Sequence, residues 1–223
     1  MALAEPHLSL SRPACNRRKR FWYRRYVKRG VDLGLVLLSL PVALPVIGLC
    51  LFLVRLDGGL GFFGHRRVGQ GGQMITVWKL RTMVSDADTV LAKHLQANPQ
   101  ARADWVQKRK LDDDPRVTRL GQWLRKFSLD ELPQLWNVWR GEMSIVGPRP
   151  VTEDELAYYG HCQSAYLEHR PGITGLWQVF GREDGGYAQR VALDTAYAGQ
   201  LRLWTDLGLI LLTLACVLVP TGR

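Results

Sequence analysis

Cysteine is scarce and scattered in this chain of 223 residues. The four, Cys15, Cys50, Cys162 and Cys216, form no CxxC pair and no Cys/His ligand cluster. That excludes a disulfide framework and a zinc knuckle, and fits a reducing compartment. Acidic residues are few: 20 against 30 lysines and arginines, a net charge of +10. Such an excess implies anionic partners, whether nucleic acid, anionic lipid or phosphorylated metabolites. A Walker loop, a GxGxxG opening a helix and a GxSxG elbow are all missing, so the usual nucleotide cradles and the serine-hydrolase nucleophile are not written here. There is no internal repeat, coiled coil or low-complexity tract. His65, His94, His161 and His169 share no spacing, which makes each a solvated or core histidine by default.

One long apolar run is present. Leu33 to Val54 is 22 residues without a charge. A straight helix of that length extends roughly 33 Å, enough to cross a bilayer core, and it exceeds a signal-peptide core, so no cleavable leader is expected. Two features speak against a straight span. Pro41 and Pro45, one turn apart, each lack an N–H and crowd the carbonyl four residues back, which predicts a sharp bend with the Ser39 hydroxyl near the break. Basic residues also flank both ends. Arg17, Arg18, Lys19, Arg20, Arg24, Arg25, Lys28 and Arg29 precede the run, interleaved with Phe21, Trp22, Tyr23 and Tyr26, and Arg55, Arg66 and Arg67 follow it. The preference of basic flanks for the cytoplasmic side then favours a helix that dips in, bends and returns.

The predicted fold class is α/β, mainly helical with a small β-hairpin, joined to a re-entrant membrane helix and amphipathic interface helices. The expected organisation is a basic arm over 1–27, a helix-break-helix over 28–56 and a catalytic domain over 57–223. "GFFGHRRVGQGGQMITVWKLRTM" reads as strand, Gly-rich turn and strand, with Ile75, Val77, Lys79 and Arg81 alternating onto one face. Helices are expected over 86–97, 100–110, 116–126, 131–140, 152–168 and 187–199. "GEMSIVGPRP" reads as loop, and "RPGITGLWQV" as loop and strand. The 13 apolar residues of 207–219 are too few to span and suit a buried or interface-lying helix.

The chemistry concentrates in "FSLDELPQLWNVWRGEMSIVGPRP". Ser128 and Glu131 have capping-box spacing, but a cap at Ser128 would put Pro133 where a helical N–H is needed. A cap at Asp130 removes that conflict and places its carboxylate at the positive end of a helix, which favours the ionised form. An ionised aspartate can attack phosphorus once the phosphate charge is screened, and Glu131 could share a divalent metal with it. Magnesium suits carboxylate and phosphate oxygens together, with manganese as the substitute. Arg149, stiffened between Pro148 and Pro150, suits a bidentate phosphate contact, although a surface arginine in a turn has the same sequence. Lys79, Arg81 and Arg125 are each individually compatible with solvated charges. Asp194 carries no chemical signal of its own. A phosphatase forming an aspartyl phosphate, or a membrane-tethered basic scaffold for anionic lipid or nucleic acid, remain alternatives at this level.

The runs "KRGVDLGLVLLSLP", "HRRVG", "VWKLRTM", "DDDPRVTRLGQWLRKFSLDELPQLWNVWRGEMSIVGPRP", "RPGITGLWQV" and "RVALDTAY" resemble the bacterial sugar transferase family, the monotopic phosphoglycosyl transferases. Length and the stretch from Met83 to Trp105 are most similar to the short exopolysaccharide-priming members, such as those transferring galactose 1-phosphate in succinoglycan synthesis. The resemblance implies transfer of a sugar 1-phosphate from a UDP-sugar to undecaprenyl phosphate with release of UMP, at the cytoplasmic face of the bacterial inner membrane. It makes Asp130 the nucleophile of a covalent phosphosugar intermediate and Glu131 a magnesium ligand. Lys79, Arg125, Arg149 and Asp194 match further functional positions. Phospholipid and downstream glycosyltransferases are the implied partners, nucleic acid is not, and both monomer and homodimer stay open. The chain departs from the family where its Ser-Pro helix break becomes Ser39-Leu40-Pro41, and where Phe180 replaces a usual serine.

Overall fold

The computed structural model describes residues 22–56, 60–108, 111, 113–181 and 186–218. Most of the expected basic arm, with Cys15, and part of "GREDGGYAQR" lie outside these residues. A π-helical turn, Tyr23–Val27, leads into α1, Lys28–Leu56. The chain continues through a hairpin of β1, Phe62–Val68, and β2, Met74–Leu80, then α2, Ala87–Ala97, α3, Pro99–Lys108, and α4, Arg119–Lys126. A 3-10 turn, Leu129–Glu131, precedes α5, Gln134–Arg140, and β3, Ser144–Val146. Helices α6, Glu153–Ala157, and α7, Gln163–Leu167, lead to β4, Gly172–Thr174. The helices α8, Leu176–Phe180, α9, Gly186–Gln200, and α10, Leu203–Leu218, close the order.

The hairpin forms as its alternation predicts, antiparallel from Phe62↔Leu80 to Val68↔Met74. Three expectations need correction. The end of "RPGITGLWQV" is the helix α8, Leu176–Phe180, where strand was expected. "GEMSIVGPRP" is not all loop: Ser144–Val146 is a strand, paired in parallel with β4. Three residues carry too little pattern to announce a strand, and this one exists because β4 is there to pair with. The predicted 152–168 helix is broken into α6, a 3-10 turn at Gly160–Cys162 and α7, with Gly160 at φ 47, a left-handed angle that glycine adopts without steric cost. Where β3 ends, Gly147 passes so close to the neighbouring strand that a Cβ there would lie 2.4 Å from the Arg170 carbonyl oxygen. The absence of a side chain lets the loop bearing Arg149 leave the sheet at this point.

Helix α1 is helical throughout Ser39, Pro41 and Pro45, so the expected interruption leaves no gap in the helical backbone. Ser39 Oγ donates to the Val36 carbonyl at 2.8 Å. Among the described helices, α1 is the one long and apolar enough to cross a membrane. One face packs along its length: Val36 joins Ile75, Val77, Val138 and Met143, while Cys50 and Val54 join Leu80 and Leu124. The opposite face shows Leu38, Val42, Leu49 and Phe52 to the surroundings. Helix α10 buries Leu209 but exposes Leu211 and Leu214, so it has one packed and one open side.

At its base α1 carries polar side chains that are buried. Lys28 Nζ meets Asp206 Oδ2 at 2.5 Å, and Tyr23 and Tyr197 donate to the same carboxylate at 2.7 and 2.9 Å. Asp32 accepts from Ser144 Oγ and from the Ile145 N–H, both at 2.9 Å. Arg29 donates to the Val138 and Trp139 carbonyls at the end of α5. The first turns of the apolar helix thus hold α10, β3 and α5 in one frame, and α5 follows directly on the carboxylate pair.

Candidate active site

Asp130 does not cap a helix. Helix α4 ends at Phe127, and Ser128 takes φ 54 and ψ 22, the one left-handed residue other than glycine among the described residues. This is the position after a helix end where glycine is usual, and a serine there costs about 1–2 kcal/mol. The chain then tightens into the 3-10 turn holding Asp130 and Glu131, and α5 starts only after Pro133. Ser128 makes no side-chain cap, so its spacing to Glu131 is not a capping box; it ends one helix instead of starting another.

The expected low pKa of Asp130 is also overturned. Its side chain is 9% exposed, and burial raises its pKa against the lowering effect of Lys79, with Glu131 adding to the rise and Arg125 opposing it. Without a helix dipole behind it, desolvation dominates. Glu131 goes the other way. Burial works against its charge, but Lys79, Arg149 and hydrogen bonds from Lys79 and Gln134 outweigh it and lower its pKa. Lys79 on β2 joins the pair, with Nζ 2.6 Å from Glu131 Oε1 and 3.9 Å from Asp130 Oδ2. Arg125 is aimed by its Nε donating to Thr82 Oγ1 at 2.9 Å. Two adjacent carboxylates thus have separated proton affinities: a buried, more basic Asp130 and a Glu131 committed to its charge.

Arg149 is exposed on the Pro148–Pro150 turn, and its charge reaches both Glu131 and Asp194. Asp194, on α9, is 1% exposed and lies behind this turn rather than beside the dyad by any hydrogen bond or ion pair. It accepts from Tyr159 Oη at 2.6 Å, and Arg190 Nε lies 4.0 Å away. Burial pushes its pKa up to about 6, opposed by Tyr159, Arg190 and Arg149. Arg190 in turn donates to the Arg149 carbonyl at 3.0 Å. Arg81 is not brought to the dyad: it donates to Ser85 Oγ at 3.0 Å and to the Val54 carbonyl at 3.3 Å. The reason is that β2 ends at Leu80, so the alternation that would align Arg81 with Lys79 stops one residue short.

Lys79, Arg125 and Arg149 thus place positive charge around the carboxylate pair, at positions the family resemblance implies. The pattern that defines bacterial sugar transferases matches residues 23–220. The chain belongs to the bacterial sugar transferase family. It is 50% identical over 196 residues to the exopolysaccharide production protein ExoY of Sinorhizobium fredii, covering 87% of each. It is 46% identical over 198 residues to the UDP-galactose-lipid carrier transferase of Erwinia amylovora, which takes in 89% of this chain and 42% of the relative. The undecaprenyl-phosphate galactose phosphotransferase of Salmonella typhimurium is 43% identical over 198 residues, with the same 89% and 42% coverage. The chain therefore spans under half the length of these last two relatives.

For this transferase, several residues that build the site gave no sequence signal. Thr82, Arg190 and Tyr159 act by aiming other groups, and their roles depend on contacts 35 to 43 positions away in the chain. Among the described residues no group of three His, Cys, Asp or Glu side chains could enclose a metal. The adjacent carboxylates of Asp130 and Glu131 do fit magnesium, which commonly takes one or two protein carboxylates and fills its other positions with substrate phosphate and water.

Proposed function

We propose that this transferase moves a hexose 1-phosphate from a UDP-sugar to undecaprenyl phosphate, releasing UMP and priming exopolysaccharide synthesis. The observation that carries this reading is the buried carboxylate of Asp130, 3.9 Å from Lys79 Nζ, beside a Glu131–Lys79 ion pair of 2.6 Å. Asp130 Oδ attacks the sugar-bearing phosphorus of the donor. The bond from that phosphorus to the bridging oxygen breaks, UMP leaves with the bridging oxygen, and an aspartyl phosphodiester to the sugar remains. An oxygen of the lipid phosphate then attacks the same phosphorus and returns the carboxylate of Asp130. Neither step needs a proton donor, so catalysis is mostly positioning and charge screening. Lys79, Arg125 and Arg149 supply fixed positive charge, and Asp194 acts through Arg190 on the backbone of Arg149. A magnesium ion, or manganese in its place, would be held by Asp130 and Glu131 and would screen the donor phosphates. Among curated relatives, one from Komagataeibacter xylinus is an undecaprenyl-phosphate glucose phosphotransferase, 36% identical, beside the galactose enzymes. Galactose and glucose are accordingly the sugars to test first.

The reading also has α1 enter and leave the membrane on the cytoplasmic side. Residues 29 and 54 would be about 38 Å apart along a straight helix, more than the roughly 30 Å of a bilayer core. Yet Arg29 bonds to the end of α5, and the Val54 carbonyl bonds to Arg81 just past β2, so both ends rest on one catalytic body. This contact pattern supports a helix with both ends on one side of the membrane, and Ser39, Pro41 and Pro45 are where the reading turns it back. Asp130→Asn is expected to lower UMP release from a UDP-sugar with polyprenyl phosphate by at least about 10³-fold, and to leave no sugar-phosphate adduct on the protein. Turnover at near-normal rate in that variant would end the proposal. A cysteine introduced at Trp22 should resist an impermeant thiol reagent applied outside sealed cells, and its labelling there would refute the re-entrant path.

A further inference from the structure

Beyond the dyad, the hairpin carries two further basic side chains, His65 and Arg67, that the reaction above leaves unused. In an antiparallel pair, residues directly opposite share a face. The register Phe63↔Lys79, His65↔Val77 and Arg67↔Ile75 therefore puts Lys79, His65 and Arg67 on one face, in a row running away from Asp130. The far end of that row is stitched to the Arg149 turn. Val68 and Val151 form an antiparallel bridge, with the Val68 N–H donating to the Val151 carbonyl at 2.8 Å. Buried Tyr166 clamps the same junction, donating to the Val68 carbonyl at 2.6 Å and accepting from the Val151 N–H at 3.2 Å.

Arg67 is thereby fixed near Arg149, with poor compensation. Its closest carboxylate is Glu155, at 3.6 Å, which is long for a charged hydrogen bond. Glu155 is already engaged, accepting from the Thr152 N–H at 2.8 Å in a capping box. Burial opposes the charge on Arg67; Glu155 favours it, while Arg149 and Arg190 disfavour it further. Among the described residues Arg149 forms no ion pair with a carboxylate. Arg67, half-buried and 21% exposed, and the exposed Arg149 feel each other's charge across the Val68–Val151 bridge, and two guanidinium groups so placed suit a phosphate.

Resting on the function argued above, we propose that Arg67 and Arg149 form a second phosphate subsite adjoining the Asp130–Glu131 dyad, with His65 and Lys79 lining the approach. The group it takes is either the uridine-side phosphate of the donor or the phosphomonoester of the lipid acceptor. The two have the same recognition chemistry and enter at different half-reactions.

The test uses the full chain in phospholipid nanodiscs, comparing wild type with Arg67→Gln. UMP release without acceptor reads the first half-reaction, and discharge of the adduct to polyprenyl phosphate reads the second. A KM raised at least tenfold for the UDP-sugar in the first assay assigns the subsite to the donor. The same rise confined to polyprenyl phosphate assigns it to the acceptor. KM values within twofold of wild type for both substrates overturn the proposal. Where the variant does not fold, phenylglyoxal footprinting of wild type decides: inorganic pyrophosphate should protect Arg67, and unchanged modification overturns the subsite. Footprinting also separates the two ideas, because wild-type protein that releases no UMP yet shows this protection would lose the function and keep the subsite.

Discussion

Replacing Lys79 with Met removes one positive charge while keeping most of the side-chain volume, and its effect follows from one distance. Lys79 Nζ lies 3.9 Å from Asp130 Oδ2. At that separation two unit charges interact by about 1 kcal/mol in a water-like medium and about 4 kcal/mol at an effective dielectric constant near 20. Asp130 is 9% exposed and Lys79 29%, so solvent screens part of the larger figure. The loss of Lys79 should then raise the pKa of Asp130 by about one to three pH units, on top of the rise that burial already imposes. Because the nucleophile must be ionised, the acidic limb of kcat/KM for the donor should move to higher pH by that amount. UMP release measured from pH 5 to 9 reads the limb directly, and its position is separate from any fall in the maximum rate. Glu131→Gln should shift the limb the opposite way, since it removes a charge that raises the Asp130 pKa and frees Lys79 to approach. An acidic limb that stays in place in Lys79→Met, or moves down, would refute the assignment of Asp130 as the ionising group that sets the rate.

Two further outcomes concern stability. Asp194 has a folded pKa of about 6, above the ordinary 3.8, so the folded state holds its proton more tightly than the unfolded chain. Its contribution is therefore fully present below about pH 4 and is lost as pH rises through about 6, an effect on the order of 3 kcal/mol. Asp194→Asn should flatten that part of the profile of thermal unfolding midpoint against pH. Lys28 and Asp206 are 2.5 Å apart with side chains 9% and 3% exposed. Lys28→Met leaves the carboxylate buried with the Tyr23 and Tyr197 hydroxyls but no counter-charge, which should cost about 3–5 kcal/mol, while the double change with Asp206→Leu should recover much of it. Unfolding midpoints in detergent check this, and a single variant as stable as wild type would show that the pair carries no such charge penalty.

What the sequence determined by itself were features whose cause is local. Alternation announced the hairpin, and the charge-free run from Leu33 to Val54 announced the long apolar helix. The carboxylate pair and the Pro-Arg-Pro turn stand out because they fall within the longest run that resembles the family. Tertiary structure decided the rest. Asp130 looked like a helix cap of low pKa; the left-handed turn at Ser128 and burial under neighbouring elements made it a more basic group. Arg81 looked equivalent to Lys79 until the end of β2 sent it toward α1. Strand β3 exists because β4 pairs with it, and Asp194 comes to lie 4.0 Å from Arg190, which bonds the Arg149 carbonyl. The physical reason is one of range. Backbone preference and periodicity act over a few residues and are written in them. Desolvation and charge pairing depend on which groups meet from distant parts of the chain, as when Lys28 meets Asp206, and that is known only once the chain has folded.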